Sequence, residues 1–186
     1  VDQELNIVHE SMIRTQSDHA NTELIQELTE NTVTGGVSMI NQALADLWTG
    51  QEEHELLMHD WYLGLLAAAF GNLVYIDKPG ELYRQHSNNV LGARTLRKRV
   101  KNWVRPHVLF AKYWKLIKDS QTQARNLLVL PLTAENRELI ENFVTIMEVP
   151  FKERWRRIRR YGYRKNRTFH TLVFTSLILT KFAYKE

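Results

Sequence analysis

The 186-residue sequence contains no cysteine. That excludes disulfides and thiolate metal sites, and it fits a reducing compartment. Four prolines and eight glycines are too few for a collagenous or low-complexity chain. With 44% hydrophobic and 25% charged residues, the composition is that of a globular protein rather than a disordered one. A membrane-spanning run is also missing. The apolar stretch at residues 169–182 is about fourteen residues long, where a spanning helix needs about twenty, so it is expected to be a packing or interfacial helix. The chain starts at Val1 with no signal-peptide pattern, and it reads as a piece of a longer protein.

Positive charge is scarce in the first half. Residues 1–90 hold 3 Lys/Arg against 14 Asp/Glu, a net of −11, whereas residues 91–186 hold 22 against 7, a net of +15. Such a split points to two regions with different surroundings, the second facing something anionic.

The first half alternates short elements. Residues 4–9, 32–40, 73–76 and 81–86 carry the alternating or β-branched pattern of strands, the third and fourth joined by a Pro-Gly turn. Residues 20–31 and 41–50 read as short helices, with Asn41 as a cap and Gly50 as a stop. Residues 59–70 form a nearly all-apolar run that Gly71 ends, with a single carboxylate, Asp60, at its start. From Ala93 onward the pattern is helical. A long helix from Pro106 to about Leu128 puts Leu109, Tyr113, Leu116 and Ile117 inward, and Leu139, Ile140, Phe143 and Met147 form the stripe of another. After Pro150, Phe151, Trp155 and Ile158 share one face. The other face carries Lys152, Arg154, Arg156, Arg157, Arg159 and Arg160.

Each notable motif has a plain reading beside a chemical one. Gly35-Gly36 makes a turn or bulge, or lets another group approach the backbone closely. Asp60 caps the dipole of a buried helix, or serves as a base held at the rim of a cleft. A lone histidine such as His86 is a hydrogen-bonded surface residue, or one member of a metal site.

The order and spacing of Gly35-Gly36, His59-Asp60-Trp61 and the Tyr83–His86 motif, from residue 31 to 93, resemble a known family. They are similar to the C-terminal half of the catalytic domain in family 2 glycosyltransferases of the GT-A fold, above all the bacterial rhamnosyltransferase branch. The resemblance implies an α+β fold, predominantly helical. Residues 1–92 would be the acceptor-side part of the catalytic domain, and 93–186 a basic helical region. It implies an inverting transfer of a sugar, rhamnose for example, from a nucleotide donor to a cell-envelope polysaccharide. Asp60 would be the general base. Gly35, Gly36, His59, Trp61 and Arg84 would line the acceptor side, with Trp61 packing against a sugar. His86 would help hold a Mg²⁺ or Mn²⁺ ion. The family's Asp-x-Asp signature occurs nowhere in the 186 residues, so the donor half is expected to lie outside this chain. The fragment alone is then expected to be inactive and, with an unpaired sheet edge, to self-associate.

The basic half has nine Lys/Arg between Lys152 and Arg167, interleaved with Trp155, Tyr161 and Tyr163. A solvated helix face is the plain explanation. Arg154, Arg156, Arg157, Arg159 and Arg160 are expected to contact an anionic membrane surface, which places the parent enzyme in the cytoplasm at the inner face of the membrane. The rival reading is a non-enzymatic helical module binding nucleic acid through the same half.

Overall fold

The computed structural model describes residues 1–11, 22–49, 56–84 and 106–184. These are predominantly helical, and no strand occurs among them. Asn21, which the sequence also offers as the cap of the helix at 20–31, the stop Gly50, the basic run at 94–104 and the proposed boundary at residue 92 lie outside the described residues.

The apolar run becomes the central helix. We label as α1 Leu24–Glu27, as α2 Gln42–Thr49 and as α3 His59–Phe70. Because α3 is apolar on nearly every side, it has to be covered on several faces. Trp61, Tyr62, Leu65, Leu66 and Ala69 are buried in the core. Its neighbours are α1, α2, whose Trp48 ring lies 5.8 Å from that of Tyr62, and the long helix α4, Pro106–Arg125. Side chains from the second half bond to backbone carbonyls at both ends of α3. Gln123 Nε2 donates to Met58 O (2.8 Å), and Asn136 Nδ2 donates to Ala69 O (2.8 Å).

On α4, Tyr113, Trp114, Ile117 and Ala124 are buried, whereas Leu116 is 49% exposed. The expected inward position of Leu116 is thus corrected. Trp114 rotates the buried arc toward itself, because its indole N–H reaches Phe182 O (2.8 Å) and its ring packs on Tyr184 (4.7 Å). Helix α5, Ala134–Val144, begins at the cap Thr133, whose hydroxyl accepts from Asn136 N. It buries Ile140 and Phe143, with Met147 buried beyond it and Leu139 packed at the edge, as the stripe requires.

Helix α6, Phe151–Tyr161, ends at Gly162, whose φ of 71° is the left-handed cap that glycine adopts without strain. Helix α7, Thr168–Thr180, then runs back along it. The connection between them is pinned to the end of α1. Lys165 Nζ donates to Thr29 O, Thr29 Oγ1 to Arg164 O, and Asn166 N to Glu30 Oε2. The acidic and basic halves therefore share one continuous core.

The expected strands do not form ladders among the described residues. Residues 35–37 make a 3₁₀ turn, and Val74, Ile76 and Leu82 point outward at 67–75% exposure. Alternation shows that a backbone suits a pleated surface, but a ladder also needs a partner strand beside it. None of the described segments supplies one.

Gly64 is a test of how tightly the core is assembled. An alanine there would gain about 1 kcal/mol of helix propensity. Its Cβ, however, would sit 2.8 Å from Val33 Cγ2 and 2.9 Å from Glu27 Oε2. Overpacking costs ~1–3 kcal/mol, so Gly64→Ala should lower the urea midpoint. A raised midpoint would show that the loop at Val33 yields freely.

Candidate functional site

Asp60 is the second residue of α3, in the turn where backbone N–H groups are unpaired and the helix dipole favours an anion. Three donors converge on its carboxylate. Trp61 N (2.7 Å) and Asn31 Nδ2 (3.2 Å) donate to Oδ1, and Gly35 N (3.4 Å) donates to Oδ2. Two of the three come from residues 31–35, so that loop clamps the carboxylate from outside the helix. Asp60 itself stays half-buried.

The glycines earn their place here. A Cβ on Gly35 would lie 2.8 Å from His59 Nε2, and one on Gly36 would lie 3.2 Å from Glu81 Oε1. The Gly35-Gly36 turn thus fits between an imidazole and a second carboxylate, bringing His59, Asp60 and Glu81 around it. Beside it opens a cavity of about 1060 Å³, walled by Val33, Val37, Leu63 and Leu66 and by residues 72–83. Glu81 was not among the expected residues. Its position right after the Pro-Gly turn was the available signal, since Gly80 packs that turn onto Val37.

Other expected residues sit elsewhere. Trp61 is 4% exposed, and its indole N–H donates inward to Glu27 O (2.7 Å). The ring is committed to the core, so its expected role against a sugar is corrected. Arg84 is exposed at the end of a described segment, and His86 lies outside the described residues. Among the described residues, no group of three metal-ligating side chains converges.

Behind the clamp lies a residue that the sequence reading missed. Glu27 is fully buried, and its carboxylate accepts from Thr32 Oγ1 and from Thr32 N (3.4 Å). Burial pushes its pKa up to about 7, the nearby charges of Glu30 and Asp60 push the same way, and the Thr32 donors oppose them. Gly64 provides the space for this carboxyl. The signal was an acid on the same helical face as Leu24 and Leu28.

The basic helix differs from expectation too. Arg154 is 7% exposed, with Nη1 donating to Val149 O (2.6 Å) and Nη2 to Leu179 O (2.9 Å). It ties the start of α6 to the end of α7, where helix-end carbonyls need donors. Arg157 is drawn inward onto Glu153, Asn142 O and Thr145 Oγ1. Both leave the expected anionic-surface patch. Arg156, Arg159 and Arg160 stay exposed, Arg156 paired with Glu153 and Arg160 with Glu138 (2.9 Å each). Phe151 and Trp155, grouped with Ile158 on one face by periodicity, are 53% and 47% exposed, and Ile158 alone of the three packs on the core.

No protein-family model, curated protein or solved structure matches the chain. No helix among the described residues is long and apolar enough to cross a membrane.

Proposed function

We propose that this chain is the acceptor-side part of an inverting glycosyltransferase of the GT-A type, with Asp60 as its general base. The observation that carries the reading is the clamp on Asp60. A carboxylate fixed by three donors at a helix start, half-open beside a glycine turn, is oriented to accept a proton. In the proposed step, an acceptor hydroxyl gives its proton to Asp60 while its oxygen attacks the anomeric carbon of a nucleotide sugar. The carbon–oxygen bond to the nucleoside diphosphate breaks, and the diphosphate leaves with that electron pair. Attack from the opposite face inverts the anomeric centre. His59 and Glu81, across the turn, are placed to hydrogen-bond acceptor hydroxyls. A rhamnose donor and a cell-envelope polysaccharide acceptor, with work at the inner face of the membrane, belong to the same reading.

The donor, with its Mg²⁺ or Mn²⁺, is assigned to sequence other than these 186 residues, which contain no Asp-x-Asp. The outward Val74, Ile76 and Leu82 support the expected self-association of the isolated chain. Calorimetry with nucleotide sugars and Mn²⁺ should show no micromolar binding to this chain alone. Joined to a donor-binding half, it should transfer the sugar with inverted anomeric configuration, read by NMR of the product. Retention of configuration, or tight donor binding by the chain alone, would overturn the reading.

A further inference from the structure

The outer arc of α6 is built from two sectors. Phe151 and Trp155, one turn apart, lie along one edge, and Lys152, Arg156, Arg159 and Arg160 continue the arc away from them. All six are exposed. The inner arc is occupied by Arg154, Arg157, Ile158 and Tyr161, so the arrangement is not a helix left without a core side. Within the outer arc, the Arg159 guanidinium lies over the Trp155 ring at 4.8 Å from its centroid. Among the described residues Lys152 and Arg159 form no ion pair. The two large aromatics thus meet water although apolar neighbours were available to Ile158 on the same helix.

The structure assigns this arc as a peripheral docking surface for an anionic lipid bilayer, with Phe151 and Trp155 entering the headgroup layer and Lys152 and Arg159 as its principal cations. Charge complementarity selects that occupant. Unneutralised cations beside exposed aromatics match an anionic interface, where an aromatic ring buries its body and keeps its polar edge wet. Long cationic side chains next to the rings reach headgroup phosphates while their stems stay apolar. A nucleic acid would also meet the cations, but the separation of aromatic and basic sectors on one convex helix suits a planar interface better than a strand threaded between them. The surface differs from the one expected from sequence, because Arg154 and Arg157 belong to the interior and the aromatics to the outside. It stands apart from the transfer reaction and does not depend on it.

The test uses the 186-residue chain and vesicles of phosphatidylcholine with or without phosphatidylglycerol. Cosedimentation should occur only with the anionic vesicles and should weaken as salt shortens the screening length, about 8 Å at physiological strength. The double substitution Lys152→Gln with Arg159→Gln should lower the partition coefficient roughly twenty-fivefold, taking each cation as worth about fivefold. Brominated lipid should quench tryptophan emission in the native chain and not in Trp155→Phe. Circular dichroism of each surface variant checks that the fold is kept. Equal binding to neutral vesicles, unchanged partition in the double variant, or quenching that survives Trp155→Phe would overturn the assignment. A gel shift with RNA that depends on Lys152 and Arg159, without vesicle binding, would transfer the surface to nucleic acid.

Discussion

In the proposed parent transferase, with its donor-binding half present, Asp60→Asn should lower turnover by ~10²–10⁴-fold, the range typical of losing a general base, while donor affinity changes little. The experiment separates the two roles open to this residue because asparagine keeps the shape and an acceptor oxygen in the first turn of α3, losing only a charge–dipole contribution of ~0.3–1 kcal/mol. The structure sharpens it further. The amide can still present an oxygen to Trp61 N and Asn31 Nδ2, but its NH₂ then faces the Gly35 N–H that now donates to Oδ2. One hydrogen bond is lost, worth about 1 kcal/mol, so the stability cost is small beside the rate effect. The acidic limb of the pH–rate profile should disappear with the carboxylate. Turnover within a few-fold of the unsubstituted parent, with only the small stability loss, would leave Asp60 as a first-turn acid with a purely structural role.

Glu27→Gln should have the largest effect on stability, and its size depends on pH. The folded chain raises this carboxyl from 4.5 to about 7, so the native state binds the proton more tightly than the unfolded chain does. Stability from this group is therefore full below about pH 4.5. It falls as pH rises toward about 7 and is flat above, for a total of about 3 kcal/mol. Glutamine keeps the volume beside Gly64 and an acceptor for Thr32 but cannot ionise. At pH 8 it should stabilise the protein by up to about 3 kcal/mol, less the extra strength of hydrogen bonds made to a charged acceptor. Urea midpoints measured from pH 4 to pH 8 check this. Native and variant curves should converge near pH 4 and separate above it. Parallel curves would show that Glu27 gains no proton affinity on folding.

Much of the helical second half was legible because its signals are local. Pro106 at the start of α4 and Pro150 just before α6 each act within a turn or two of chain, as Gly71 does at the end of α3 in the first half. The position of Asp60 in a first turn is equally local. Its clamp is not, since Asn31 and Gly35 reach it from 29 and 25 residues away. Arg154 was placed in the exposed patch for a related reason. Periodicity groups Phe151, Trp155 and Ile158 together, yet only contact with α7 shows that the carbonyls of Val149 and Leu179 draw Arg154 inside and turn the aromatics out.

The sequence by itself determined where most helices in the second half begin and end, that the chain divides into an acidic and a basic half, and that one carboxylate stands at the mouth of an apolar helix. Caps, stops and periodic apolar residues act over a few residues, so they can be read along the chain. Tertiary structure alone decided that Trp61 faces the core, that Glu27 is buried against Thr32, that Arg154 is interior, and that the expected strands carry no ladder among the described residues. Burial and backbone pairing depend on partners brought from far along the chain. Lys165 meets Thr29 across 136 positions, and no local pattern encodes that meeting.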